Sequence, residues 1–469
     1  MNIITLIRRN TSYAYTREFK AQIKLFIPFL LGQLCSCAMS TVDTLMAGLA
    51  GTIDISGVAV GCAFYWPAYM FLAGLAYGVT ATTSHLYARR EIEKMKKSFF
   101  NALVICITFG VIVAALLAVS PAIYNFIPSD KAMIEVATNY IYFVAFSLPF
   151  TVVYNVYRSY SEGLGITKPT LIFGILQLVL NIPLNYIFIF GEFGMPRMGG
   201  IGCGATSCFI NILCAVLMVL YVRKSKKYPR LDNNKNVNVL DKSISKAYLH
   251  LSVPIGITRT LEVTCFSLAA VILSPLGPII VAAHSITLNV SSLIFMIPLC
   301  ISITATIRTA SNMGSKNWIK AFISLKVSSA INLVLYLVYF MVLLFLRDDI
   351  ARLYTKDTSV LAITNGLMLL NCFYLFPDSW QNLFCGVLQG FKDTKIILIN
   401  TIVAYWIIGI PLGLCLAYGY LGLPKVEAYG IWIAFCAALT YSSITYLLRV
   451  RYLFKHKKYP KLLAQSYTH

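Results

Sequence analysis

The sequence predicts an all-α polytopic membrane protein, with twelve transmembrane helices in two six-helix lobes related as parallel repeats about an axis along the membrane normal. Three observations carry that expectation. The 469 residues are 58% hydrophobic and only 12% charged, about half the charge of a soluble domain, with a mean hydropathy of +0.74. Apolar stretches of about 20 residues, each able to cross a hydrocarbon core of ~30 Å, recur along the whole chain. The lysines and arginines gather on alternate connections between those stretches.

The apolar stretches lie near residues 24–48, 55–80, 98–120, 133–156, 169–190, 200–222, 247–274, 278–306, 320–345, 358–386, 396–418 and 427–448. Backbone polar groups in lipid must be paired, which leaves helices or closed-barrel strands. Barrel strands are about ten alternating residues, so these long unbroken runs are helices. With both termini cytoplasmic, the inside segments hold 32 of the 39 Lys and Arg, the outside loops hold 6, and Arg259 lies within a span. That positive-inside distribution requires an even number of spans. The net charge of +21 therefore faces anionic lipid rather than nucleic acid, and the bilayer is the expected partner. MNIITLI is too short for a signal-peptide core and precedes Arg8 and Arg9, so no signal peptide is expected. Thirteen cysteines are scattered without a C-x-x-C pair, as small apolar fillers.

The most polar stretch, residues 223–246, divides the chain into an N-terminal lobe (1–222), a basic cytoplasmic linker (223–246) and a C-terminal lobe with a basic tail (247–469). The halves echo each other. NIPLNYIFIFG ends at Gly191 and GIPLGLCLAYG at Gly419, 228 later; Gly202 and Gly430 keep that offset; Pro28 and Pro254 are 226 apart. An even number of helices per half makes the repeats parallel, an architecture that alternates access by rocking of the two lobes.

Acids inside apolar runs are the chemical signal, because a carboxylate at bilayer depth costs roughly 2.5–3.5 kcal/mol unless it meets water, a proton or a cation. Asp43 has Ser40, Thr41 and Thr44 beside it, oxygens suited to a proton or Na⁺ site; the alternative is an acid bonded to a neighbouring helix. Glu262 lies three residues after Arg259, within reach of a self-neutralising pair. Its repeat equivalent is Ser36, so the halves carry their acids at different depths. Asn371, Tyr374, Asp378, Gln381 and Asn382 form one polar stripe at helical spacing, facing either a cavity or a helix–helix seam. Asn181 and Asn185 share a helix face around Pro183, and Thr206 starts the sixth span; these either complete a cation site with Asp43 or make packing hydrogen bonds. His284 reads as a buried polar residue or a proton relay.

Absences narrow the class. There is no G-x-x-x-x-G-K-S/T, H-E-x-x-H or G-x-S-x-G motif, so neither ATP-driven transport nor a membrane enzyme is expected. No Arg-rich helix or TVGYG-type filter suggests a channel.

Several long motifs in order resemble the MATE family (multidrug and toxic compound extrusion), NorM-like branch. They are VDTLMAGLAG, YRSYSEGLGITKP, NIPLNYIFIFG, PRMGGIGCGAT, LEVTCFSLAAVILSPLG, AAHSITLNV, FMIPLCISITATIR, FPDSWQNLFCGVLQGFKDT and YWIIGIPLG. The resemblance implies a twelve-helix antiporter of the bacterial inner membrane that exports organic cations such as drugs and dyes in exchange for Na⁺ or H⁺, with no other cofactor. It implies that Asp43, Glu262 and Asp378 couple cations, with Tyr374 beside the last, and that Asp43, Glu262, Tyr374 and Asp378 are Na⁺ candidates. A monomer is expected. The alternative is a lipid-linked oligosaccharide flippase of related architecture, which calls for a cationic cavity to hold pyrophosphate; the buried charges here are mostly acidic.

Overall fold

The computed structural model describes residues 3–126, 131–231, 241–422, 424–457 and 460. Twelve of its helices are long and apolar enough to cross a membrane. They are α1 (Ile3–Ala50), α2 (Thr52–Ala88), α3 (Ile92–Val119), α4 (Lys131–Gly163), α5 (Lys168–Phe190), α6 (Ile201–Lys224), α7 (Lys242–Leu273), α8 (Pro278–Gly314), α9 (Trp318–Tyr354), α10 (Thr358–Gly390), α11 (Thr394–Tyr418) and α12 (Glu427–His456). No strand occurs among the described residues. The predicted spans are all present, but most helices are longer. At 1.5 Å per residue, the 37 residues of α9 extend about 55 Å against a hydrocarbon core of ~30 Å. Polar residues such as Arg347, Asp348 and Arg352 continue its helix because helical hydrogen bonding does not stop where hydrophobicity does.

Local chemistry sets the ends. Asn317 caps α9 by accepting from Lys320 N at 2.9 Å, and Asp357 caps α10 by accepting from Ser359 N at 2.8 Å, each satisfying an otherwise orphaned helix N–H. Both α5 and α11 stop at a left-handed glycine, Gly191 (φ 78°) and Gly419 (φ 76°), a conformation that penalises any Cβ.

The internal duplication is visible in close approaches. A Cβ on Gly202 would lie 2.8 Å from Ile189 N, and one on Gly430 would lie 2.7 Å from Ala417 N. A Cβ on Gly163 would meet Thr83 Cβ at 2.7 Å and Thr80 O at 2.9 Å; on Gly390 it would meet Thr309 Cβ at 2.6 Å and Thr306 O at 2.9 Å. Each member of a pair sits 226–228 residues from its counterpart.

Contacts group the chain into two compact units, Ile27–Thr260 and Met1–Phe26 with Leu261–His469. In the first, α4 packs against α2, α3 and α6, and α5 against α6. In the second, α10 packs against α8, α9 and α12, and α11 against α12. Lipid tails are as apolar as leucine, so small residues and interhelical hydrogen bonds supply the cohesion. Ser84 Oγ donates to Gly163 O at 2.6 Å, and Thr306 Oγ1 donates to Gly386 O at 2.9 Å. Each unit also buries an ion pair. Arg158 Nε donates to Glu162 Oε1 at 2.7 Å while its Nη2 donates to Gln33 Oε1 at 2.9 Å. Arg308 binds Glu18 through two nitrogens, Nε to Oε1 at 2.8 Å and Nη2 to Oε2.

The α8–α10 crossing gives a direct test. A Cβ on Gly386 would collide with the Ser302 carbonyl, and the obstacle is backbone that cannot rotate away. Gly386→Ala is expected to cost about 1–3 kcal/mol, read as a lowered thermal midpoint of the purified protein in detergent.

Candidate functional site

The first compact unit positions Asp43 on α1 opposite α5. The i, i+4 spacing of Asn181 and Asn185 sets both amides on one face of α5. Asn181 Nδ2 donates to Asp43 Oδ1 at 2.8 Å and Asn185 Nδ2 to the same oxygen at 2.6 Å. The Asn185 amide also reaches Asn181 Oδ1 at 3.2 Å, and Cys203 Sγ on α6 points at the Asp43 carbonyl at 3.5 Å. Both asparagines are fully buried. Asn185 Oδ1 is buried without a hydrogen-bond partner among the described residues; Thr206 Oγ1 is also buried and unpaired there, and no hydrogen bond joins it to Asp43. No lysine or arginine pairs with Asp43 among the described residues.

The hydroxyls expected to surround Asp43 do not. Thr41 Oγ1 donates to Cys37 O and Thr44 Oγ1 to Ser40 O, and Ser40, Thr41 and Thr44 are exposed. A helical threonine finds its own i−4 carbonyl closer than any neighbouring helix. Amides from α5 do the work instead. Thr206 lies in the second turn of α6 rather than at its start.

The second unit holds the other residues. The polar stripe of α10 is buried throughout: Asn371, Tyr374, Asp378, Gln381 and Asn382. Asn382 Nδ2 donates to Asp378 O at 2.9 Å and to its Oδ1 at 3.1 Å. Gln381 links two helices to α10: its Nε2 reaches Glu262 Oε1 on α7 at 3.5 Å, and its Oε1 accepts from Tyr405 OH on α11 at 3.2 Å. The Tyr374 ring meets the Trp432 ring edge-on at 5.3 Å. Trp432 Nε1 donates to His284 Nδ1 at 3.2 Å, which fixes the neutral tautomer with its proton on Nε2. His284 Nε2 and both polar atoms of Asn371 are buried without a partner among the described residues.

The structure thus brings Asp43, Asn181 and Asn185 together in one unit, and Glu262, Gln381 and Tyr405, Asp378 and Asn382, and Tyr374, Trp432 and His284 in the other. Tyr405, Trp432 and Cys203 were not singled out from the sequence. Tyr405 falls in a π-helical stretch of α11, Ile402–Gly409, a widened turn of the kind that often aims a side chain at a functional site. Its only sequence signal is the YWIIGIPLG motif.

Comparison with known proteins agrees with the duplicated architecture. The MatE family model matches residues 28–187 and 254–415, the two repeats in register. The chain is 34% identical over 445 residues to "Multidrug resistance protein MdtK" of Yersinia pseudotuberculosis serotype O:1b, covering 94% of this chain and 97% of that protein. It is 32% identical over 452 residues to "Probable multidrug resistance protein NorM" of Shewanella oneidensis, covering 96% and 98%. Among solved structures it is similar in fold to the eukaryotic MATE transporter AtDTX14, with a TM-score of 0.84 at 18% identity over 96% of this chain and 98% of that one.

A double-mutant cycle tests the Asp43 cluster. Removing a donor from a buried charge costs about 1–3 kcal/mol, so Asn185→Leu is expected to lower stability by that amount with Asp43 present. In an Asp43→Asn background the loss is expected to shrink by at least ~0.5 kcal/mol, the coupling typical of contacting residues. Thermal unfolding of the four proteins in one detergent reads the difference; additive losses would contradict the contact.

Proposed function

The chain belongs to the MATE family, and from that premise we propose that it is a multidrug efflux antiporter, exporting organic cations in exchange for Na⁺ or H⁺ through intramembrane carboxylates. One observation carries the reading: Asp43 is held by two neutral amides and by no fixed cation among the described residues. Amide donors stabilise the carboxylate without cancelling its charge, so the field it presents remains available to a mobile positive guest. Asp378, buried on α10 beside the Asn382 amide, and Glu262, reached through Gln381, are carboxylates of the second unit. The names of the MdtK and NorM relatives support the drug-export reading.

The mechanism follows from charge balance. A drug cation arriving from the cytoplasm neutralises a carboxylate. A coupling cation entering from outside competes for the same negative charge and displaces the drug. Inward movement of that cation is driven by about 2.3 kcal/mol per charge per 100 mV of membrane potential. In this reading the protein works as a monomer in the bacterial inner membrane, and the excess of Lys and Arg on alternate connections supports cytoplasmic termini. A flippase for pyrophosphate-linked sugars is disfavoured, because the carboxylates of Asp43, Glu262 and Asp378 would repel such a substrate.

Asp43→Asn and Asp378→Asn remove one charge each while keeping shape. Each is expected to slow ethidium efflux from energised cells at least about tenfold, with unchanged protein in the membrane. Wild-type efflux from both variants would overturn the carboxylate mechanism. Dye export from proteoliposomes under a Na⁺ gradient, then under a pH gradient, identifies the coupling ion.

A further inference from the structure

The first half of α1 is tied to α8 and α9 of its own compact unit. Glu18 and Gln22, both buried, turn into the second compact unit. Glu18 is taken by Arg308. Gln22 Nε2 donates to Ser324 O at 3.0 Å, and its Oε1 accepts from Ser328 Oγ at 2.9 Å. This polar clasp fixes where α1 lies against α9. Beside it a cavity of about 640 Å³ remains open between the two helices, walled by Phe19, Ile23 and Phe26 of α1 and by Lys326, Ala330 and Val334 of α9, among others. The volume is in the range of small-molecule sites, roughly 300–1,000 Å³. Because the clasp sets the helix separation, α1 cannot simply roll inward to close it.

The walls are parts of membrane-spanning helices, and Phe19 and Val334 stand 48% and 59% exposed. What meets them in a bilayer is lipid, not water. One lining residue is charged. Lys326 is exposed, its ammonium lies 4.8 Å from the Phe322 ring centre, and no acid pairs with it among the described residues. Arg17, Lys20 and Lys24 stand exposed on the same length of α1, and the acid between them, Glu18, is already matched by Arg308. The charged end of the trough therefore has an unmatched positive surface.

Depth agrees with charge. Lys326 follows the start of α9 at Trp318 by eight residues, about 12 Å of helix. A helix of about 55 Å overhangs a ~30 Å core by about that length at each end. The ammonium is thus at headgroup level, and Ala330 and Val334 continue the trough beneath it.

We propose that this trough binds one anionic phospholipid, its phosphate at Lys326 and an acyl chain laid between α1 and α9. The site is separate from the residues assigned to export, so it stands or falls independently of that reading. Native mass spectrometry of the full-length protein in detergent, titrated with phosphatidylglycerol and with phosphatidylethanolamine of the same chains, tests it. Wild type is expected to retain phosphatidylglycerol preferentially. One lysine near a headgroup is worth a factor of about five, so Lys326→Gln is expected to weaken phosphatidylglycerol binding about fivefold and leave phosphatidylethanolamine unchanged. Ala330→Trp, which fills the trough, is expected to reduce both; Ala330→Leu serves the same purpose should the larger residue impair folding. Equal retention of both lipids by wild type and Lys326→Gln overturns the anionic assignment, and equal retention by wild type and the Ala330 variants overturns the site.

Discussion

A carboxylate in hydrocarbon must be stabilised by something, and the choice of partner decides what the protein can do. Asp43 is stabilised by the amides of Asn181 and Asn185. An arginine there would have cancelled the charge and closed the site to a mobile cation. The amides reach Asp43 only if α5 is held in one register against α1. That register is set where the helices approach most closely: a Cβ on Gly32 would lie 3.0 Å from Thr170 O, and one on Gly174 3.1 Å from Gly32 O. Backbone geometry at two glycines is therefore linked to the electrostatics of one carboxylate.

The second unit repeats the scaffold with different polar groups. At the offset that matches Gly202 to Gly430, the two asparagines of α5 correspond to Gly409 and Gly413 in α11, and Ala269 stands where Asp43 does at an offset of 226. Acids appear elsewhere, on α7 and α10, and α11 widens into a π-helix that delivers Tyr405 to Gln381. The duplicated positions are those where backbones approach most closely; the divergent ones carry the chemistry. Two unlike polar clusters on one repeated frame give each unit its own chemistry.

The twelve spans, the duplication and the buried acids were legible in the amino acids because each has a local signature: sustained apolarity, recurring Gly and Pro, charge within hydrocarbon. The i, i+4 spacing of Asn181 and Asn185 even placed them on one face. Around Asp43 the amides offered by Asn181 and Asn185 are in place, but the hydroxyls of Thr41 and Thr44 are not, because the helix itself consumes them. The lengths of the helices beyond the hydrocarbon, the π-helical stretch at Ile402–Gly409 and the hydrogen bond that sets the His284 tautomer had no local signature. Each depends on tertiary contacts among residues distant in the chain.

On the proposed mechanism an organic cation and the coupling ion compete for the same negative charge. Such competition is read by equilibrium binding of a fluorescent organic cation to the purified protein, without any gradient, repeated across Na⁺ concentration and across pH. The apparent Kd is expected to rise in proportion to one of the two ions once that ion exceeds its own Kd, with no change in the number of sites. An affinity indifferent to both Na⁺ and H⁺ over a hundredfold range would contradict it.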